Sequence, residues 1–293
     1  GACYASLDEI DKAISCYNIA LTINPNYAEA QNNLGITLHK KGDIDEAVII
    51  YKNALLVKPN YAEAQNNLGN AFKDLGKLDL AIELYEKAIV IKPDFPEAFD
   101  NLVFVLKEFD QLEVAIKSYH NIITANPKLA EAHYNLGLVL QMSNEHEEAI
   151  KCYEKAIDIK PNYADAYNNI GIVYKELGQL EDAIKSYEKS LTINPNFAEA
   201  HNNLGNVLRE LNYLNEAAEC FNKVIKLQPN IAETHNNLGM IFSQLNKLKK
   251  AESSFMQAIT LNPNYADAHS NLGMIYKEFG RIDQAITSLK KAI

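Results

Sequence analysis

The chain has no tryptophan, only 9 prolines and only 4 cysteines in 293 residues. The cysteines show no paired spacing, which excludes a disulfide-framed miniprotein and a zinc ribbon. No apolar run reaches the roughly 18 residues of a transmembrane helix, so no membrane partner is expected. Basic residues are in deficit, and the formal net charge is −10. A nucleic-acid binder needs a basic face to displace phosphate counterions, so no nucleic acid is expected either. Walker A, GxGxxG and EF-hand loops are all absent. The stretch His146-Glu147-Glu148-Ala149-Ile150 opens like a zinc-protease helix but lacks the second histidine. No Ser/His/Asp or Cys/His grouping stands apart from the repeating pattern described next. Neither an enzyme nor a bound metal or cofactor is therefore expected.

What is present is regularity. Eight of the nine prolines, Pro25, Pro59, Pro93, Pro127, Pro161, Pro195, Pro229 and Pro263, follow one another at steps of 34 residues. A fixed period of this length marks a solenoid and removes the one- or two-domain reading that chain length suggests. With this proline at position 32, complete repeats span 28–61, 62–95, 96–129, 130–163, 164–197, 198–231 and 232–265. A partial repeat covers 1–27, and 266–293 holds both helices but stops at position 28. The expected domain organisation is one array over 1–293.

Each repeat predicts two helices. Apolar or small residues at positions 3, 7, 8, 10 and 11 define helix A, as in Ala64, Leu68, Gly69, Ala71 and Phe72. Positions 17, 20, 21, 24, 27 and 28 define helix B, as in Leu78, Ala81, Ile82, Tyr85, Ala88 and Ile89. Position 15 is Gly (42, 76, 178, 280) or Asn (144, 212, 246), types that tolerate a left-handed turn. Position 33 is usually Asn and position 2 always acidic, which predicts a capping box at the start of helix A. Position 20 is Ala in every repeat, small enough for helices A and B to approach closely. Position 24 is Tyr or Phe from Tyr17 to Phe255, and Leu289 in the last repeat. Its ring is expected to fill space between neighbouring repeats.

The pattern Leu68-Gly69, Phe72, Ala81-x3-Tyr85, Pro93 resembles the tetratricopeptide repeat (TPR) over essentially the whole chain. The family's frequent tryptophan at position 4 is replaced by Gln, His, Phe or Tyr. The resemblance implies an all-α solenoid, a right-handed superhelix of antiparallel helix pairs with helix A on the concave side. Position 6 of helix A is asparagine throughout: Asn33, Asn67, Asn101, Asn135, Asn169, Asn203, Asn237 and Asn271. This ladder is similar to that of the TPR array of O-GlcNAc transferases, which implies amides gripping the backbone of an extended polypeptide. A carboxamide offers donors and an acceptor, so it can pair with any peptide unit whatever the side chain. The same asparagines could instead bond a neighbouring repeat and set its pitch, and the two roles are compatible. Position 5 is a less regular row: Asn32, Asn66, Asn168, Asn202 and Asn236, interrupted by Asp100, Tyr134 and Ser270.

Beside the ladder, position 9 is mostly apolar (Ile36, Phe104, Leu138, Ile172, Met240, Met274; Asn70 and Asn206 excepted). Position 12 is often basic (Lys73, Lys107, Lys175, Arg209, Lys277), with acids following at position 13 (Asp74, Glu108, Glu176, Glu210, Glu278). The apolar row suits the side chains of an extended peptide, and the charged rows read as a solvated, balanced face. The carboxylate clamp of chaperone-tail TPR domains is not expected, because position 2 is acidic, position 6 Asn and position 5 never basic. His133, His201, His235 and His269 share position 4 and recur with the scaffold, which argues against a shared metal ion. Cys16, Cys152 and Cys220 share position 23 and read as small fillers in a reduced compartment.

Repeat 96–129 departs most. Pro96 suits the first helical position. Val103 replaces the position-8 glycine, which should widen or shift a close helix contact, and Phe99 and Phe104 add aromatic surface. A docking patch or bend and plain drift with compensating repacking both fit. Neither end carries a polar capping helix, so the segment is expected either to belong to a longer array or to stack head to tail on another copy. The leading expectation is a cytoplasmic protein-interaction scaffold that binds an extended polypeptide or another protein along the ladder. The alternatives are the substrate-recruiting arm of a glycosyltransferase and a self-assembling structural element.

Overall fold

The computed structural model describes residues 9–108 and 112–292, which leaves both chain ends outside it, along with the side chains of Lys107 and Glu108. The described residues form seventeen α-helices and no strand. The chain divides into two compact units, Gly1–Asn144 and Glu145–Ile293. The first holds α1 (Ile10–Ile23), α2 (Ala28–Lys41), α3 (Ile44–Val57), α4 (Ala62–Asp74), α5 (Leu78–Ile91), α6 (Pro96–Glu108), α7 (Leu112–Ala125) and α8 (Ala130–Met142). The second holds α9 (His146–Ile159), α10 (Ala164–Glu176), α11 (Leu180–Ile193), α12 (Ala198–Glu210), α13 (Leu214–Leu227), α14 (Ala232–Gln244), α15 (Leu248–Leu261), α16 (Ala266–Glu278) and α17 (Ile282–Lys291). Even-numbered helices are helix A of their repeat and odd-numbered ones helix B. Within each unit every helix packs on its neighbours in the chain.

The hairpin between A and B is built as the composition of position 15 requires. Gly42, Gly76, Gly178 and Gly280 have φ of 96°, 69°, 74° and 69°, and Asn144, Asn212 and Asn246 have φ of 60°, 64° and 56°. The position-20 alanines are buried throughout, most of them with no exposed surface. Helix A lies so near helix B that a Cβ built on Gly35, Gly69, Gly171 or Gly239 would come within 2.5–2.6 Å of the position-24 ring of the same repeat. The ring also reaches the next repeat: Tyr187 packs with Leu204 and Val207, and Phe255 with Leu272 and Ile275. One aromatic thus seals both its own hairpin and the joint to the next one. Burial keeps the phenols of Tyr51, Tyr85, Tyr119 and Tyr187 neutral by raising their pKa.

The expected capping box is not formed. Helix A starts one residue later than a cap at position 33 would require. The residue before its first turn is Tyr27, Tyr61, Leu129, Tyr163, Phe197, Ile231 or Tyr265, none with a side-chain cap. The position-33 asparagines sit in the turn, where the N–H of Asn26, Asn196 and Asn264 donates to the Oδ1 of Asn24, Asn194 and Asn262 at 3.2 Å. Two of the position-2 acids pair instead with a lysine at position 31, Glu29 with Lys58 at 2.9 Å and Glu63 with Lys92 at 2.7 Å. Lys58 also lies 4.3 Å above the Tyr61 ring, and Lys92 lies 4.8 Å above Phe95. Position 34 takes the cap position whatever its side chain, and the asparagine is left in the turn before it.

Position 4, where the family often has tryptophan, bridges the end of one repeat to the start of the next. His133, His201 and His235 hold the carbonyl of the proline six residues earlier at 3.0 Å, and His269 does so at 2.8 Å. Gln31 Nε2 makes the same bond at 3.0 Å. A carbonyl only accepts, so each histidine must carry its proton on Nε2. This recurrence is therefore structural, and no metal-sized His/Cys/Asp/Glu group exists among the described residues.

Repeat 96–129 is the exception here too. α6 begins at Pro96, the first helical position, as expected. α6 and α7 pack on each other far less than the other hairpin pairs that lie within one unit, and α7 instead also rests on α5. The position-8 valine accounts for this: where the other repeats lack even a Cβ, Val103 adds a Cβ and two methyl groups.

Candidate functional site: an amide ladder with oriented rungs

All eight position-6 asparagines lie on helix A, four in each unit. They border the buried face that includes Leu34, Leu68 and Leu204 one residue on. Asn33, Asn67, Asn101, Asn135, Asn203 and Asn271 are half-buried, whereas Asn169 and Asn237 are buried.

Four rungs share one bond. Nδ2 of Asn67, Asn101, Asn203 and Asn271 donates to Oδ1 of Asn32, Asn66, Asn168 and Asn236 at 3.0, 2.9, 3.1 and 3.0 Å. Each bond joins position 6 of one repeat to position 5 of the repeat before. The accepting residues are buried, with exposures of 4%, 1%, 1% and 3%. Position 5, read as a weak and broken row in the sequence, is thus the inner member of the pair.

Two carboxylates set the direction of these bonds. Asn66 Nδ2 donates to Glu97 Oε1 at 3.1 Å, and Asn168 Nδ2 donates to Glu199 Oε1 at 3.2 Å. An ionised carboxylate only accepts, so the inner amide must present its nitrogen to the glutamate and its oxygen to the outer asparagine. The outer amide must then offer nitrogen inward. Glu97 and Asn101 are one turn apart on α6 and straddle Asn66 of α4, and Glu199 and Asn203 of α12 straddle Asn168 of α10. Oδ1 and the second N–H of Asn67, Asn101, Asn203 and Asn271 have no protein partner among the described residues.

The other rungs differ. The side chains of Asn33 and Asn135 form no hydrogen bond with the described residues, and the position-5 residue before Asn135 is Asp100. Asn237 Oδ1 accepts from Arg209 Nη1 at 3.4 Å, and Asn169 Oδ1 accepts from Asn168 at 3.5 Å. The ladder is regular in sequence and graded in its chemistry.

The rows expected beside the ladder are there. Asn67 shares a recess with Ile36, His39, Lys40 and Asp74. His39 Nε2 and Asp74 Oδ2 meet at 2.8 Å, joining position 12 of one repeat to position 13 of the next. Lys73 lies 5.5 Å over the ring of Phe104, which is 53% exposed. In the second unit a wider recess is lined by Lys175, Asn206, Arg209, Glu210, Met240 and Gln244. Asn70, an exception to the apolar row, accepts the hydroxyl of Tyr85 at 2.8 Å. Burial pushes the thiols of Cys152 and Cys220 up to about 11, which suits fillers and opposes nucleophiles.

Family models described as "Tetratricopeptide repeat" match residues 26–93, 129–196 and 163–230, and further ones match 232–265 and 254–287. A "TPR repeat" model matches 1–42. The chain belongs to the tetratricopeptide repeat family. Among solved structures, this TPR chain is similar to the crystal structure of MamA at 25% identity and a TM-score of 0.52. The match covers 54% of this chain and 92% of MamA. MamA 41-end from Desulfovibrio magneticus RS-1 aligns at 21% identity and a TM-score of 0.53, over 56% and 92% of the two chains. No curated protein sequence matches the chain. No helix among the described residues is long and apolar enough to cross a membrane.

Proposed function

We propose that this TPR array is a non-catalytic protein-interaction scaffold whose position-6 asparagines hold the backbone of an extended polypeptide. The observation that carries the reading is the orientation of the rungs. Each of the four paired rungs spends one N–H on a buried amide, which fixes the side chain in place and leaves its carbonyl and other N–H to pair with a peptide unit. The cost of ordering the side chain is met before any ligand arrives, as tight recognition requires. The structural role and the binding role are then one device, because the bond that ties repeat to repeat is also what aims the rung. The likeness to the ladder of O-GlcNAc transferase arrays points the same way, and the reduced thiols suit a cytoplasmic setting.

The test uses a fluorescein-labelled, unstructured peptide of Ala, Ser and Lys, its charge chosen to suit the chain's net charge of −10. Asn67→Ala, Asn101→Ala and Asn203→Ala together should weaken its binding by roughly a hundredfold, from a net loss of about 1 kcal/mol for each rung removed. Fluorescence anisotropy reads the affinity and circular dichroism the folded fraction. Unchanged affinity per folded molecule would make the ladder purely structural.

A further inference from the structure

Among the described residues, the loosened hairpin of repeat 96–129 leaves an apolar slot among α6, α7 and α8 that opens to solvent. Val103 and Leu106 of α6 form one wall, Leu138 and Met142 of α8 another, and Tyr119 of α7 also lines it. Only Tyr119 and Asn135 among its lining side chains carry a polar group. In the repeats of Gly35, Gly69, Gly171 and Gly239 helix A closes on the position-24 ring instead, near enough that a Cβ there would lie 2.5–2.6 Å from it. Val103 is the wedge. The slot also lies on the ladder, since Asn135 is one of its rungs, and one without a hydrogen bond among the described residues.

We propose that the slot receives one apolar side chain, of leucine or methionine type, from the polypeptide held along the ladder. This rests on the backbone-binding reading above and adds a sequence preference to it. An amide row reads only peptide units, which every sequence presents, so it grips without discriminating. Recognition of extended chains separates these tasks: main-chain hydrogen bonds supply affinity, and pockets for particular side chains supply specificity. A residue whose backbone pairs with Asn135 has its side chain at the slot's mouth, and aliphatic walls reward an aliphatic occupant. Phe104, exposed on the same helix as Val103, adds apolar surface beside this repeat's rung.

The experiment extends the Ala/Ser/Lys peptide into a pair that differs at one central residue, Ser or Leu. Wild-type chain should bind the Leu peptide about tenfold tighter, as burial of one aliphatic side chain predicts. Val103→Gly, which restores the glycine of the other repeats, should close the slot and bring the ratio to about one while leaving the Ser peptide's affinity unchanged. Met142→Lys places a charge at the mouth on a residue that is 53% exposed, so it keeps the test alive should the valine variant fold poorly. Equal affinity of the two peptides for wild-type chain would overturn the slot and leave the ladder reading intact. If neither peptide binds, the ladder reading fails, and the slot is judged separately by N-acetyl-leucinamide. Methyl signals of Met142 that shift in the wild type and stay still in Val103→Gly would uphold it, and signals that stay still in both would overturn it.

Discussion

Asn101 points the way it does because Glu97 cannot donate a hydrogen bond. Single hydrogen-bonding atoms of this kind decide more in this chain than bulk composition does. The position-24 tyrosines make the same point in the core. Tyr85 donates to Asn70, whereas the buried hydroxyl of Tyr187 has no partner among the described residues, since Ile172 stands at the equivalent of Asn70. An unmet buried hydroxyl costs about 1–3 kcal/mol, while a made hydrogen bond contributes about 1 kcal/mol. Tyr85→Phe should therefore destabilise the chain by about 1 kcal/mol, and Tyr187→Phe should leave it unchanged or stabilise it. Urea titrations of the two variants check the sign difference.

At the scale of the hairpin, the distance between helices A and B is set by a missing Cβ. On Gly171 that atom would lie 2.6 Å from Tyr187, an overlap that must move a ring packed with no exposed surface. On Gly205 the nearest atoms are at 3.1 and 3.2 Å, in Phe221 and Cys220. Alanine gains up to about 1 kcal/mol of helix propensity over glycine, and overpacking costs about 1–3 kcal/mol. Gly171→Ala should thus lower the melting temperature, and Gly205→Ala should come close to neutral, by thermal denaturation followed at the helix band. The loosened hairpin of repeat 96–129 is the natural counterpart: there a valine was accepted, and the helices moved instead of the ring.

For the whole chain, stability is a sum over repeats and their joints, with no central core to average out a weak element. Packing between α6 and α7 is the weakest of the hairpins within one unit, so local opening should begin there. Hydrogen exchange should show lower protection in α6 and α7 than in α10 and α11, whose position-8 residue is glycine. Val103→Gly should raise protection in α6 and α7 alone. Uniform protection along the chain would show that the loose hairpin is as stable as the rest.

Some of this was legible in the residues by themselves. The repeat length, the paired helices, the left-handed turn at position 15, the close approach at position 20 and the ladder all follow from local periodicity and from what each side chain permits its own backbone. The capping box was misread because position 33 has the right chemistry but the wrong place: helix A starts one residue later, with position 34 at its cap. The pairing of positions 5 and 6 joins residues 35 apart, and the valine slot needs three helices at once. Such contacts depend on how one helix is set against the next, which no single segment encodes. The chain's periodicity therefore determined where the amides recur, and only the tertiary structure decided which way each one faces, because a side chain takes its direction from the neighbour that satisfies it.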